Sequence, residues 1–186
     1  MSLSKVIYQM SSEQLNYIIK NENWRFSASD YFDRYFIMAA PVSFLTIGIY
    51  ALIYGGGINK ISISNSVSLF PIGIFFVGVL SFMFCYIRIE REKKFRRIEL
   101  RRALSLEELK DILNEIGWSV VNANEKYTVA KTNISLFSWG EEVTLIQCDS
   151  YLLINSRPTG SQPFTFNRDS FNYSKLKEYL EIKIYV

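Results

Sequence analysis

Phe36-Ile-Met-Ala-Ala-Pro-Val-Ser-Phe-Leu-Thr-Ile-Gly-Ile-Tyr-Ala-Leu-Ile-Tyr54 and Leu69-Phe-Pro-Ile-Gly-Ile-Phe-Phe-Val-Gly-Val-Leu-Ser-Phe-Met-Phe-Cys-Tyr-Ile87 carry no charge, in a chain that is 21% charged. Each is 19 residues long, and ~20 helical residues cross the hydrocarbon of a bilayer. A helix buried in a protein core rarely lacks charge around its whole circumference. A cleaved leader fits poorly, because the first stretch starts at position 36 behind acidic residues and has no small-residue cleavage motif. Pro41 and Pro71 stand in the first turns, where a missing N–H costs little. Between the stretches, residues 55–68 are polar and glycine-rich at their start, with Ser68 as an N-cap. The expectation is an antiparallel hairpin of two membrane spans, 36–54 and 69–87.

Charge orients the hairpin. Residues 1–35 hold four basic and four acidic side chains, residues 88–102 hold eight basic and three acidic, and residues 103–186 hold eight basic and eleven acidic. The connecting loop has only Lys60. By the Lys/Arg bias both termini are expected on the cytoplasmic side. Arg88, Arg91, Lys93, Lys94, Arg96 and Arg97 are then expected at lipid headgroups, on a basic helix over residues 88–104 that continues the second span. Glu90, Glu92 and Glu99 are interspersed at helical spacing. Their presence and the scarcity of aromatics in the band do not favour nucleic acid.

Several classes of chemistry are excluded or weakened. The chain has no His, so no imidazole base, His ligand or imidazole switch exists. Two cysteines, Cys85 and Cys148, make no disulfide framework and suit a reducing compartment. Neither span contains an ionisable residue, so no proton relay or coupled-ion site is visible. Small residues recur at Ala39, Ser43, Gly48, Gly73, Gly78 and Ser81, and small residues let helices approach closely. They predict packing within the hairpin, self-association, or both. A pore so formed would be lined by groups such as Ser43, Thr46 and Ser81.

Outside the spans, Ser11 and Gln14 have capping-box spacing before Leu15, Ile18 and Ile19, so residues 11–20 read as an amphipathic helix. Residues 1–35 are expected either along the membrane surface or on the cytosolic domain. Ser27 and Asp30 repeat the capping pattern before the first span. Residues 105–186 read as a small domain. Ser105-Leu-Glu-Glu108 is a capping box, Leu106, Leu109, Ile112, Leu113 and Ile116 form an apolar stripe, and Gly117 ends the helix. Alternation then predicts one hairpin of 118–123 with 127–132 and a second of 142–148 with 151–156. Phe164–Phe166 reads as a fifth strand and Tyr173–Lys183 as a closing helix. The expected fold is a membrane α-helical hairpin plus a small cytosolic α+β domain, an antiparallel sheet of four or five strands with two helices covering one face. Asn133-Ile-Ser135 and Asn172-Tyr-Ser174 match the glycosylation pattern by chance on this topology.

The candidate ligand site joins two loops, through Trp139, Glu142, Arg157 and Ser161. Trp139 offers a stacking face, Glu142 a carboxylate, Arg157 an anion fork and Ser161 a loop rich in backbone donors. A ligand with a base and a phosphate would suit that set. Glu141 and Glu142 are adjacent on a strand, point to opposite faces and cannot act as a general acid/base pair. No phosphate loop, metal-ligand cluster or nucleophile elbow is present. No catalytic residue, metal or cofactor is assigned.

The plan resembles small bacterial two-span membrane proteins with a cytosolic pleckstrin-homology-like domain. The run Trp139-Gly-Glu-Glu-Val-Thr-Leu-Ile-Gln-Cys-Asp-Ser-Tyr-Leu-Leu-Ile154, followed by Phe164 and a final helix, is similar to their closing half. By architecture alone it also resembles pore-type membrane effectors of antiphage systems, including CRISPR-associated accessory proteins. Some of those were proposed to hold an Arg…His ribonuclease motif, which a chain without His cannot carry. The resemblance implies a bacterial inner membrane, homo-oligomers and antiviral defence. The functional expectation is a non-enzymatic, homo-oligomeric membrane effector or pore-like assembly, regulated through its cytosolic domain by a protein or small-molecule signal. The alternative is a membrane-anchored binding or scaffold module.

Overall fold

The computed structural model describes residues 10–28, 35–54, 70–134, 140–158 and 168–185. The chain divides into two compact units: Met1–Arg25 with Glu92–Val186, and Phe26–Arg91.

The first unit is α+β, built on a five-stranded antiparallel sheet. Its elements are helix α1 (Ser12–Asn21), strand β1 (Arg96–Glu99), helix α2 (Leu106–Glu115), strands β2 (Ser119–Ala123), β3 (Tyr127–Lys131), β4 (Glu141–Gln147) and β5 (Tyr151–Pro158), and helix α3 (Arg168–Tyr185). The sheet order is β1-β5-β4-β3-β2. The two expected hairpins, β2–β3 and β4–β5, are present, and pairing of β3 with β4 joins them into a meander. Asn124 closes the first turn by accepting from the N–H groups of Lys126 and Tyr127. Asp149-Ser150 close the β4–β5 turn. Gly140 stands at φ 91°, where a Cβ would come 2.9 Å from the Thr132 carbonyl oxygen. Only glycine fits there without strain.

Local signals set the helix starts. Ser11 caps α1 by accepting from the Gln14 N–H, and Ser105 with Glu108 completes the capping box of α2. Past α2, Gly117 takes φ 81°, and the Trp118 N–H returns to the Leu113 carbonyl. The α3 helix starts five residues before the expected Tyr173.

One sheet face carries Ile98, Ala130, Val143, Leu145, Leu152 and Ile154, closed by Leu109, Ile112 and Leu113 of α2 and Leu176 and Leu180 of α3. The two expected helices thus cover one face; the other, with Ile146, Leu153 and Asn155, is buried as well. The amino-terminal segment lies there. The Met10 N–H donates to the Tyr127 hydroxyl, and the Trp24 indole N–H to Asn155 Oδ1 at 2.8 Å. Of the two placements open for this segment, packing on the domain is the one adopted by residues 10–25.

The basic band departs from expectation. The preceding helix ends at Glu92, and residues 96–99 form β1, paired with Ile154–Tyr151. The single helix expected over 88–104 is therefore wrong. Phe95, Ile98 and Leu100 are 5%, 3% and 7% exposed, so the sheet gains three core residues by taking this segment. That burial outweighs the helical preference of Arg, Lys and Glu, since tertiary context overrides intrinsic propensity. The expected strand Phe164–Phe166 lies outside the described residues, as do Asp30 and the loop 55–69.

The second unit holds a 3₁₀ turn (Phe36–Met38), helix αA (Ala39–Tyr54) and helix αB (Phe70–Glu92). The last residue of αB belongs to the first unit. The two helices are antiparallel. A Cβ on Gly48 would lie 2.9 Å from the Phe75 Cα, and one on Gly78 would lie 2.9 Å from the Leu45 N. Met38 packs with Cys85 and Ile89, and the Tyr35 hydroxyl donates to Glu90 at 2.8 Å. Among the described helices, αB alone is long and apolar enough to cross a membrane, and αA is a shorter apolar helix.

Candidate functional site

Strand pairing brings two of the four expected site residues together. Glu142 and Arg157 are cross-strand partners on β4 and β5. Arg157 Nη2 lies 2.9 Å from Glu142 Oε1, with side chains 12% and 24% exposed. The Arg157 guanidinium also stacks 4.2 Å from the Trp24 ring. The charge assigned to an incoming anion is thus neutralised within the sheet. Trp139 and Ser161 lie outside the described residues.

Around Arg157 stands a set of residues that sequence reasoning missed. Trp24 packs on Phe95 at 5.3 Å. Asn155, 3% exposed, accepts from the Trp24 indole and donates through Nδ2 to the Glu92 and Lys94 carbonyls, each at 2.8 Å. The Glu92 carbonyl is one of the last four of a helix, which find no partner inside it. Beside this, Asn23 and Lys94 form an antiparallel bridge. The Trp24 N–H donates to the Lys93 carbonyl and the Phe95 N–H to the Glu22 carbonyl. The available sequence signal is Asn155-Ser156 interrupting an apolar strand, but it does not name Trp24, 131 positions away.

The opposite face holds a second polar group. Glu141, 1% exposed, accepts from Ser156 Oγ at 2.5 Å and Asn172 Nδ2 at 2.7 Å. Glu141 and Glu142 do point to opposite faces. Asn172, the acceptor of one glycosylation match, is buried. Among the described residues no group of three His, Cys, Asp or Glu is arranged to hold a metal ion. An open recess of about 410 Å³ lies elsewhere, between α1 and the β2–β3 turn, lined by Met10, Leu15, Glu125 and Tyr127 among others.

The expected headgroup residues separate. Arg88 and Arg91 ride the last turns of αB, with Arg91 exposed. Lys93 is 7% exposed. Lys94 is exposed at the bridge. Arg96 stacks 3.7 Å from the Tyr173 ring. Arg97 pairs with Glu22 at 2.5 Å, and that carboxylate raises the guanidinium pKa above its ordinary value. Arg96 and Arg97 therefore serve the sheet unit, because the segment is a strand there, and Lys93 belongs to the same unit in the turn that leads to it.

The small residues of the helix pair separate too. Gly48 and Gly78 form the seam. A Cβ on Gly73 would meet nothing within 4 Å. Ser43, exposed like Ala39, donates to the Ala39 carbonyl at 2.8 Å, and Thr46 donates to the Val42 and Ser43 carbonyls. Ser81 is half-buried. No family model, curated protein or solved structure matches this chain.

Proposed function

We propose that this chain is a non-enzymatic integral membrane protein, with αA and αB as an antiparallel two-span hairpin and the sheet unit on the cytoplasmic side. The observation that carries the reading is where the helix pair puts its side chains. Only 17% of the apolar window of αB is buried. Phe44, Ile47, Phe76, Leu80 and Met83 are all 48% exposed or more, while Gly48 and Gly78 are enclosed. In water that surface would aggregate; in hydrocarbon it is solvated. Length agrees. The 23 residues of αB reach ~34 Å at ~1.5 Å each, against ~30 Å of hydrocarbon. The 3₁₀ turn plus the 16 residues of αA reach ~30 Å.

Connectivity supports two crossings. Residues 22–24 are bonded to residues 93–95 within one unit. The chain between them must leave and return on the same side, so if αB crosses, something else must cross back. The Lys/Arg excess at residues 88–97 points to the cytoplasmic side. The same reading makes the protein a homo-oligomeric effector, its helix pairs assembling in the bilayer under the control of the cytosolic unit.

One observation favours a tethered binding module instead. The Ser43 and Thr46 hydroxyls donate to carbonyls of their own helix. Untagged full-length protein should stay with membranes through alkaline carbonate extraction and float with vesicles. Extraction into the supernatant would end the membrane reading. Light scattering in detergent then separates the two versions: a multimer is expected of an effector assembly, and a monomer leaves the tether.

A further inference from the structure

We propose that residues 22–24 and 93–95 form a clamp, with Asn155 as its keystone, through which the sheet unit holds together the two chain ends leading to the apolar helices. The proposal rests on the membrane reading above only for its consequence, not for its geometry.

The clamp stands on contacts between residues distant in sequence. Two backbone hydrogen bonds join the ribbons, Trp24 N–H to Lys93 at 2.9 Å and Phe95 N–H to Glu22 at 2.8 Å. Asn23 and Lys94 form the bridge between them. Two hydrogen bonds alone make a marginal ribbon in water. Asn155 supplies what the ribbon lacks. Its single carboxamide holds Trp24 on one strand and the Glu92 and Lys94 carbonyls on the other. It sits in the middle of β5, so the sheet itself presents it. Trp24 packs against both Phe95 and the Arg157 guanidinium, which Glu142 orients. Arg97, next along β1, ties Glu22.

The consequence is coupling. The chain leaves this unit after Arg25 and returns at Glu92. While the clamp is closed, the two ends stay a strand spacing apart. An event on the sheet that withdraws Asn155 or Arg157 from Trp24 frees them without unfolding the hydrophobic core on the other face. Such a joint, with a closed and an open arrangement, is the kind of discrete element that transmits a signal between parts of a protein.

The test uses the full chain in lipid vesicles, with Cys85→Ser and Cys148→Ser. Spin labels at Arg25→Cys and Lys94→Cys report the spacing, and hydrogen exchange reports the amides of Trp24 and Phe95 beside those of Val143 and Leu145. The parent should give one narrow distance distribution. Asn155→Ala and the milder Trp24→Phe, which keeps an aromatic ring but removes the indole N–H and part of the ring area, should broaden it. They should speed exchange at Trp24 and Phe95 about tenfold or more while Val143 and Leu145 stay protected. An unchanged distribution in both variants overturns the clamp. So does loss of protection at Val143 and Leu145 together with Trp24 in Trp24→Phe, which would make the ribbon part of the core rather than a joint. Vesicle flotation is scored on the same samples. Protein that fails to float but shows the expected spacing refutes the membrane reading and leaves the clamp standing.

Discussion

Leu145, Ile146, Leu152 and Leu153 of the sheet are 0% exposed, whereas Tyr50, Phe76 and Leu80 of the helix pair are 65%, 59% and 65% exposed. Both regions are rich in large apolar side chains, yet they place them oppositely. The sheet unit hides them under α2, α3 and the amino-terminal segment, and it leaves charges such as Arg102, Glu108 and Glu181 outside. The helix pair hides Gly48 and Gly78 and presents Phe, Ile and Leu. A chain that folds one region by expelling apolar surface from water would not leave the other bare in the same solvent. That contrast is the ground of the proposed membrane reading, and substitutions can test it.

The largest effect belongs to the sheet. Leu145→Ala should destabilise the unit by about 2–5 kcal/mol, the range for a fully enclosed leucine, read as a shifted midpoint in denaturant melts of the full-length protein. Leu80→Ala, on the exposed face of αB, should move the same transition hardly at all. Next comes Leu80→Lys. If hydrocarbon surrounds αB, a charge there costs about 3 kcal/mol by insertion scales, and the membrane-bound fraction should fall. A Leu80→Lys protein that is more soluble and no less membrane-bound would erase the contrast between the regions.

Smaller effects sharpen the picture inside each region. Gly48→Ala puts a methyl against the Phe75 backbone and should loosen the pair by about 1–3 kcal/mol. Gly73→Ala meets open space and should be neutral or gain up to about 1 kcal/mol of helix propensity. Helix-pair melting in detergent reads both. Equal effects of the two would mean that the seam does not run where Gly48 lies.

The smallest effect is a pH dependence. Arg102 and the Ser105 N–H hold the Glu108 carboxyl down at about 2, well below its ordinary 4.5. A lowered folded-state value stabilises above the unfolded pKa, and that contribution is lost as pH falls through the folded value. Glu108→Gln should therefore melt earlier than the parent near neutral pH, with the difference closing between about pH 5 and pH 2. A difference that stays constant across that range would assign the effect to the capping hydrogen bond alone.

Legibility followed the range of the interactions. The α1 and α2 caps, the β2–β3 and β4–β5 hairpins and the divergence of Glu141 and Glu142 were all readable, since each depends on residues close in sequence. β1 was not. Arg96-Arg-Ile-Glu99 has one apolar residue, and its strand identity comes from Tyr151–Ile154, more than fifty positions later. The candidate site was half legible. Glu142 and Arg157 do meet, but Arg157 is occupied by Glu142 and Trp24, and no local pattern announces Trp24 as its neighbour.

By itself the sequence determined what nearest neighbours decide: two uncharged apolar stretches, where helices begin, where hairpins turn, and which strand residues alternate. Only the tertiary structure decided that residues 10–25 close the second face of the sheet, that part of the basic band is a strand, and that Asn155 ties both ends of the apolar insert. The physical reason is that burial and hydrogen-bond satisfaction are settled by whichever partners the fold brings into reach. For Trp24, Asn155 and Lys94 those partners lie 61 to 131 residues away.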